Sequence, residues 1–172
     1  VAELRITGPV TVEAWFRTSG PVGNFTTLVS KWHSGGSDGA YTLGWSDAEG
    51  LLFAVNKDSG SAISVAVAAS GQSYADGVWH HAAGTFDGAD VRLYVDGQDV
   101  AVSSDVTFTG LHASAQPFRI GADGAIDSGN LDRFFPGEID DVRVWNVART
   151  ANEIQTSMTA DVDGTTTGLV GS

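Results

Sequence analysis

The chain has 172 residues, with 21 acidic side chains against 9 basic ones and a net charge of −12. That balance excludes nucleic acid, whose phosphates this surface would repel, and opposes electrostatic docking on anionic membranes. There is no cysteine, which excludes disulfides, thiolate zinc sites and thiol nucleophiles, and no apolar run approaches the length of a membrane span.

A single domain over residues 1–172 is expected at this length. The chain opens on Val1 without a signal-peptide pattern, so the expectation is a removed leader or a module of a larger protein. The 22 glycines and the wealth of Val, Thr, Ser and aromatic residues suit many short strands joined by tight turns.

In chain order, the first strand is Thr11–Arg17, where Val12, Ala14 and Phe16 alternate with Thr11, Glu13, Trp15 and Arg17. Strands are predicted next at Thr27–Trp32, Tyr41–Trp45, Leu51–Val55, Ile63–Ala68 and Val78–Phe86. Asp96-Gly97 lies between two alternating runs and predicts a two-residue hairpin, because both turn positions need positive φ. With that turn, Val95 opposes Gln98, Leu93 opposes Val100 and Val91 opposes Val102, on one nearly apolar face. Later strands are expected at Val106–Thr109, Pro117–Ile120 and Glu138–Trp145, with a long loop from Gly121 to Pro136. Thr150-Ala151-Asn152-Glu153 matches a capping box and predicts one short helix from Thr150 to Met158, with Ile154 and Met158 facing the sheet. Gly168-Leu169-Val170 closes the chain as an edge strand. The pattern predicts an all-β fold, two packed antiparallel sheets with one short C-terminal helix.

Four segments carry a resemblance: Thr11–Trp15, Val78–Gly88, Arg92–Gly97 and Gly137–Asn146. In their order and spacing they resemble laminin-G-like domains of the concanavalin-A-like lectin and glucanase superfamily, in the pentraxin-like branch. The resemblance implies a jelly-roll sandwich, an extracellular or cell-surface setting, frequent use of calcium, and a glycan or protein as partner. Animal matrix modules of this kind usually carry a C-terminal disulfide; its absence favours a bacterial surface or secreted protein. The leading expectation is a non-catalytic recognition module, calcium-stabilised, binding a glycan or a protein. A structural or adhesion spacer is the alternative, and a glycoside hydrolase the third.

Glu138-Ile139-Asp140 resembles part of the glucanase catalytic strand, but Val142 stands where the third carboxylate would be, so no catalytic residue is assigned. His80 and His81 are adjacent on a strand, point to opposite faces and read as structural. Asp140 precedes Val142 and Val144 at even spacing, which predicts an inward-pointing carboxylate that needs a partner or a cation. Related glucanases hold calcium with the matching aspartate. Asp140 is therefore the first metal candidate, with Asp38 in the Ser37–Gly39 loop a second ligand; Asp123-Gly124 and Asp127–Asn130 have similar character. Among the five tryptophans, Trp79 and Trp145 are expected in the core. Trp32, at the mouth of a loop, and Trp15, which faces away from Val12 and Phe16, are the candidates for a sugar-stacking platform. Asn24-Phe25-Thr26 is a glycosylation sequon that matters only in a eukaryotic secretory host.

Overall fold

A computed structural model describes residues 4–23, 25–32, 38–57, 65–104, 106–124, 131–162 and 164–172. The strands are β1 (Val10–Arg17), β2 (Thr27–Ser30), β3 (Tyr41–Ser46), β4 (Gly50–Asn56), β5 (Val65–Ala69), β6 (His80–Phe86), β7 (Val91–Val95), β8 (Gln98–Ser103), β9 (Arg119–Ile120), β10 (Asp123–Gly124), β11 (Leu131–Asp132), β12 (Glu138–Trp145) and β13 (Leu169–Gly171), with one helix, α1 (Ala151–Ser157). A six-stranded sheet in the order β13-β12-β1-β6-β7-β8 packs on a five-stranded sheet in the order β5-β4-β3-β2-β9. All the strand pairings are antiparallel. The fold is the two-sheet antiparallel sandwich that the turn and strand pattern implies, in the jelly-roll form that the family resemblance implies.

Alternation decides which residues fill the space between the sheets. Val12, Ala14 and Phe16 of β1, Leu93 and Val95 of β7, Tyr41, Leu43 and Trp45 of β3, and Leu51, Phe53 and Val55 of β4 belong to one buried cluster. Gly84 lies in the same inward row, paired with Val12 on one side and Leu93 on the other. A Cβ at Gly84 would lie 2.0 Å from Cγ of Phe53 in the opposing sheet. The absence of a side chain on β6 is thus what lets the Phe53 ring enter.

The hairpin and the helix form as their sequence signals require. Asp96 and Gly97 have φ of 50° and 75°, both in the left-handed region the two-residue turn needs. Thr150 caps α1: its side chain accepts from the Glu153 amide while Glu153 Oε2 accepts from the Thr150 amide at 2.7 Å. Ile154 is fully buried beside Ala83 and Tyr94.

Two irregularities overturn the expected phase. The β7–β8 ladder starts as expected with Val95 opposite Gln98 but shifts between Leu93 and Tyr94, so Leu93 faces Ala101 and Val91 faces Ser103. Val100 and Val102 are consequently 36% and 49% exposed rather than packed inward. The β1–β12 ladder shifts between Glu13 and Trp15, and Asp141 there has φ of 49°. Such a bulge inserts one residue and reverses the alternation beyond it. Residues 106–109 form no strand, and the predicted long loop contains the small β10–β11 pair.

The sheet packing yields a direct test. Gly84→Ala forces the Phe53 ring to move and should lose about 1–3 kcal/mol or more, seen as a lower urea midpoint. Gly8→Ala, with nothing within 4 Å of the added methyl, should leave the midpoint within about 0.5 kcal/mol of wild type. Equal midpoints for the two variants would contradict this packing.

Candidate functional site

The outer faces of the two sheets are used differently. On the six-stranded sheet the outward residues of β1 are Thr11, Glu13 and Trp15; the Val147–Arg149 segment that leads into α1 meets Thr11 and Glu13, and the C-terminal end of α1 meets Trp15. Trp15 Nε1 donates to the Met158 carbonyl at 2.7 Å, and its ring meets His81 edge-on at 5.4 Å. Trp15 is therefore a strut beneath the helix and not a sugar platform. It faces away from the core as its alternation requires, but the sequence does not reveal that α1 lies over it.

Glu13 is fully buried in this layer. Its Oε1 accepts from Trp145 Nε1 at 3.0 Å and from Arg149 at 3.4 Å, with Arg143 at 3.8 Å. Burial pushes the Glu13 carboxyl above its ordinary value despite the opposing pull of Trp145, Arg149 and Arg143. His81 Nε2 lies 3.6 Å from Glu13 Oε2. Burial, with the nearby charge of Arg143, pushes His81 down to about 4. His80 points the other way. Burial pulls its pKa down, but its hydrogen bonds to Asp96 (2.8 Å) and Asp76 (3.3 Å) prevail and hold it above the ordinary histidine value. The two histidines thus serve two separate structural networks, as their adjacency predicts.

The outer face of the five-stranded sheet is open. Register places Thr27, Gly44 and Leu52 in one outward row and Thr42, Ala54 and Val67 in the next. These residues floor a cavity of about 310 Å³, within the usual range of about 300–1,000 Å³ for small-ligand sites. Trp32, Phe25, Glu49, Asp123 and Arg133 stand around it.

The structure places Trp32, the first platform candidate, at this cavity. Its amide donates to Ser30 Oγ at 3.1 Å, and its carbonyl accepts from Arg119 at 3.1 Å. Its ring lies so close to Gly39 that a Cβ there would come within 2.3 Å of Cδ2. The indole is therefore held in place before any ligand arrives.

Sequence reasoning missed Arg133 and Phe25. The Arg133 guanidinium lies over the Phe25 ring at 4.6 Å and donates to Asp123 Oδ2 at 3.3 Å. Asp123 Oδ1 accepts from Ser30 Oγ and from the Gly124 amide, each at 2.8 Å. Burial raises the Asp123 carboxyl, against the lowering effect of those hydrogen bonds and of Arg133 and Arg119. One signal was available: Leu51-Leu52-Phe53-Ala54-Val55 is apolar at every position, which in a sandwich means that the outer face is also sheltered.

The metal candidates are placed otherwise than expected. The β12 bulge turns Asp140 outward, opposite Trp15, while Ile139, Val142 and Val144 pack against the core. Asp140 is exposed, and its Oδ1 accepts from the Asp141 amide at 2.8 Å. Asp38 accepts from the Ala115 amide (3.1 Å), His112 (3.1 Å) and Gln116 (3.0 Å). Burial raises its pKa, but these bonds together with Ser114 outweigh that and hold it below the ordinary carboxylate value. Among the described residues, no three acidic or histidine side chains converge as a metal-binding group. Asp140 and Asp38 therefore do not fit as a shared side-chain cage for calcium. Residues 127–130, Asn24 and Ser37 lie outside the described residues. Trp145 is buried, but Trp79, expected in the core, is only half-buried, under the Arg17 guanidinium at 5.1 Å. Glu138 accepts from Arg17 Nε at 2.7 Å.

A laminin-G family model, described as concanavalin A-like lectin/glucanases superfamily, matches residues 2–155. The chain belongs to this family. Within the family frame, a segment of 90 residues, 51% of the chain, is 33% identical to mouse pappalysin-1 and spans 5% of that protein. A Bacteroides ovatus protein assigned to carbohydrate binding is similar over 94% of the chain and 44% of its own, with a TM-score of 0.71 and 26% identity. The CBM40 of a Ruminococcus gnavus IT-sialidase, bound to alpha2,6 sialyllactose, is similar over 90% of the chain and 85% of its own, with a TM-score of 0.66. At 16% identity that last likeness concerns the fold. Among the described residues, no helix is long and apolar enough to cross a membrane.

The buried histidine gives the domain a pH dependence whose sign follows from its depressed pKa. Folding keeps His81 neutral, so its contribution is intact above pH ~6.5 and is lost as pH falls toward ~4, amounting to about 3 kcal/mol at ~1.4 kcal/mol per pKa unit. His80, raised, acts oppositely and loses its contribution as pH rises above ~6.5. The wild-type melting temperature should therefore drop more between pH 7 and 4.5 than that of His81→Gln. Parallel curves would remove His81 as the cause.

Proposed function

We propose that this chain is a non-catalytic carbohydrate-recognition module, and that it takes its ligand in the cavity on the outer face of the five-stranded sheet. The observation that carries this reading is the Trp32 ring fixed against Gly39 at the wall of a cavity that also presents Asp123 and Arg133. An indole stacks on the apolar face of a pyranose, while a carboxylate–guanidinium pair accepts from and donates to sugar hydroxyls. The likeness to a Bacteroides ovatus protein assigned to carbohydrate binding supports the same class of ligand. Our reading is non-catalytic because Glu138, in the glucanase-like fragment, is tied to Arg17 and its neighbour Asp140 stands exposed on the other sheet. The setting we propose is extracellular or cell-surface, as the family resemblance implies.

A glycan array read with and without calcium should give binders, and calorimetry on the best of them should show Trp32→Ala weakening affinity at least about tenfold, a loss in the hot-spot range of roughly 1–4 kcal/mol. Trp15→Phe should bind as wild type. An array blank under both conditions would favour the spacer reading, and equal affinity in Trp32→Ala would move the site elsewhere. Sugar release from laminarin or lichenan that disappears in Glu138→Gln would overturn the non-catalytic assignment.

Calcium belongs to this proposal as a stabiliser of the sandwich edge, not as part of the sugar cavity. The exposed Asp140 carboxylate would bind it only with backbone carbonyls as the remaining oxygen ligands. A cation bound by the folded state alone raises the melting temperature by mass action. Calcium added to chelator-treated protein should raise it, and Asp140→Asn should remove most of that rise. Identical melting curves with calcium and with chelator would end the calcium assignment.

A further inference from the structure

The acidic excess of this chain leaves a cationic cluster without carboxylate partners. Among the described residues, Arg17, Arg92, Arg133, Arg143 and Arg149 each reach a carboxylate. Arg5, Lys31 and Arg119 do not, although the chain holds 21 acids to 9 bases. Each of the three gives a hydrogen bond to a backbone carbonyl instead: Arg5 Nε to Ser114 at 3.3 Å, Lys31 Nζ to Gln116 at 2.6 Å, and Arg119 to Trp32 at 3.1 Å. Neutral carbonyls satisfy geometry but not charge, and an ammonium has three donors.

Arg5 and Arg119 each sit close enough to Lys31 to repel its charge. Lys31 is only 4% exposed, and burial together with the charges of Arg5 and Arg119 lowers its pKa. The carboxylate within electrostatic reach of Lys31 is Asp38, whose oxygens already accept from Ala115, His112 and Gln116, while Arg119 lies within reach of Asp123, which already accepts from Ser30, Gly124 and Arg133. Arg5 and Lys31 line a groove of about 680 Å³ together with Leu4, Gln116 and Phe118, and among the described residues no acidic side chain lines it. A desolvated lysine next to an exposed arginine, opening on such a groove, has the donors and the charge for a guest that brings a negative charge with several acceptor oxygens.

We propose that Arg5 and Lys31 form an oxyanion-binding site, with Arg119 adding charge behind them, for a ligand that carries a carboxylate or sulfate group. The site is distinct from the glycan cavity and does not rest on that assignment. It neighbours it, because Lys31 and Trp32 are consecutive and the Trp32 carbonyl accepts from Arg119. A ligand with an acidic group thus meets complementary charge here, in spite of the net charge of −12 on the whole chain.

The test uses the whole chain at low ionic strength, with sodium sulfate and sodium glucuronate as probes in titration calorimetry. The expected result is saturable one-to-one binding of at least one probe, weakened at least tenfold in Arg5→Gln, with an unchanged melting temperature of that variant showing that its fold is intact. Binding of both probes points to oxyanions in general; sulfate alone narrows the ligand to sulfate esters, and glucuronate alone to carboxylates. Lys31→Met supplies a second readout. If Lys31 is held charged for a ligand, removing that charge abolishes probe binding while the unliganded protein melts at or above the wild-type temperature. No saturable heat with either probe, or undiminished binding in Arg5→Gln, overturns the site. A Lys31→Met protein that melts well below wild type makes Lys31 a structural strut to the Gln116 carbonyl and overturns its role as a ligand-binding cation.

Discussion

Glu13 places a carboxylate without exposed surface on the outer face of β1, next to the middle of the six-stranded sheet. A charge in that position is costly unless it is paired and hydrogen-bonded, and breaking such a set by removing one member typically costs about 3–5 kcal/mol. Its partners come from the far end of the sequence. Trp145 ends β12, and Arg149, stacked on the Trp145 ring at 4.0 Å, stands just before the helix cap. Arg143 and Arg149 then reach from this cluster to the helix itself. Arg143 donates to the Ser157 and Ala160 carbonyls at 2.8 Å each, and Arg149 donates to the Glu153 carbonyl at 3.0 Å. The last turn of α1 contains no basic residue of its own, so its terminal Ser157 carbonyl is met by Arg143, which Asp141 holds and which lies near Glu13. One buried acid thereby ties the first strand, the last long strand and the helix together.

That arrangement determines which surface is left for recognition. Once α1 covers the outer face beside β1 and β6, the aromatic and polar residues there are consumed by structure; Trp15 and His81 are the plainest cases. Among the described residues, no helix lies over the five-stranded sheet. Its outer face keeps a cavity whose floor mixes threonine, glycine and aliphatic residues and whose rim carries the aromatic Trp32 and Phe25 beside the charged Glu49, Asp123 and Arg133. Leu52 and Ala54, on that outer face, are only 7% and 5% exposed, because the surrounding rim stands over them. The asymmetry of the sandwich, one face closed by a helix and the other sheltered by rim residues, is what puts the Trp32 cavity on the outer face of the five-stranded sheet.

Local signals with a stereochemical cause were legible in the sequence. Asp96-Gly97 had to form a tight turn because few other pairs tolerate two positive φ values, and Thr150 with Glu153 had to start a helix because each satisfies the other's amide. Phase beyond a bulge was not legible. Asp141 takes a left-handed φ although it is not glycine, so nothing in the residue type announces the extra residue. The even spacing of Asp140, Val142 and Val144 then suggests an inward carboxylate, whereas the side chain is turned out and the two valines remain in. The same limit applies to Val100 and Val102 past the β8 irregularity. Long-range contacts formed the second limit. Arg133 follows Asp123 by ten residues in the sequence, and only the fold shows that its guanidinium lies over Phe25 and reaches that carboxylate.

The distribution of charge carries the argument one step further. A chain with this acidic excess can neutralise every base it has, and five arginines are neutralised. The cluster at Arg5, Lys31 and Arg119 is therefore not a consequence of composition; it persists where acids are abundant elsewhere. Carbonyls of the 114–117 segment and of Trp32 fix these cations without discharging them. At the cavity beside Trp32 the opposite rule holds, since Arg133 is matched to Asp123 and the exposed Glu49 adds a second carboxylate at the rim. Neighbouring surfaces on either side of one β-strand end thus have different electrostatic characters, one suited to hydroxyls and one to an anion. A ligand that spans both would read the end of β2 as a single composite surface, with Trp32 at its centre.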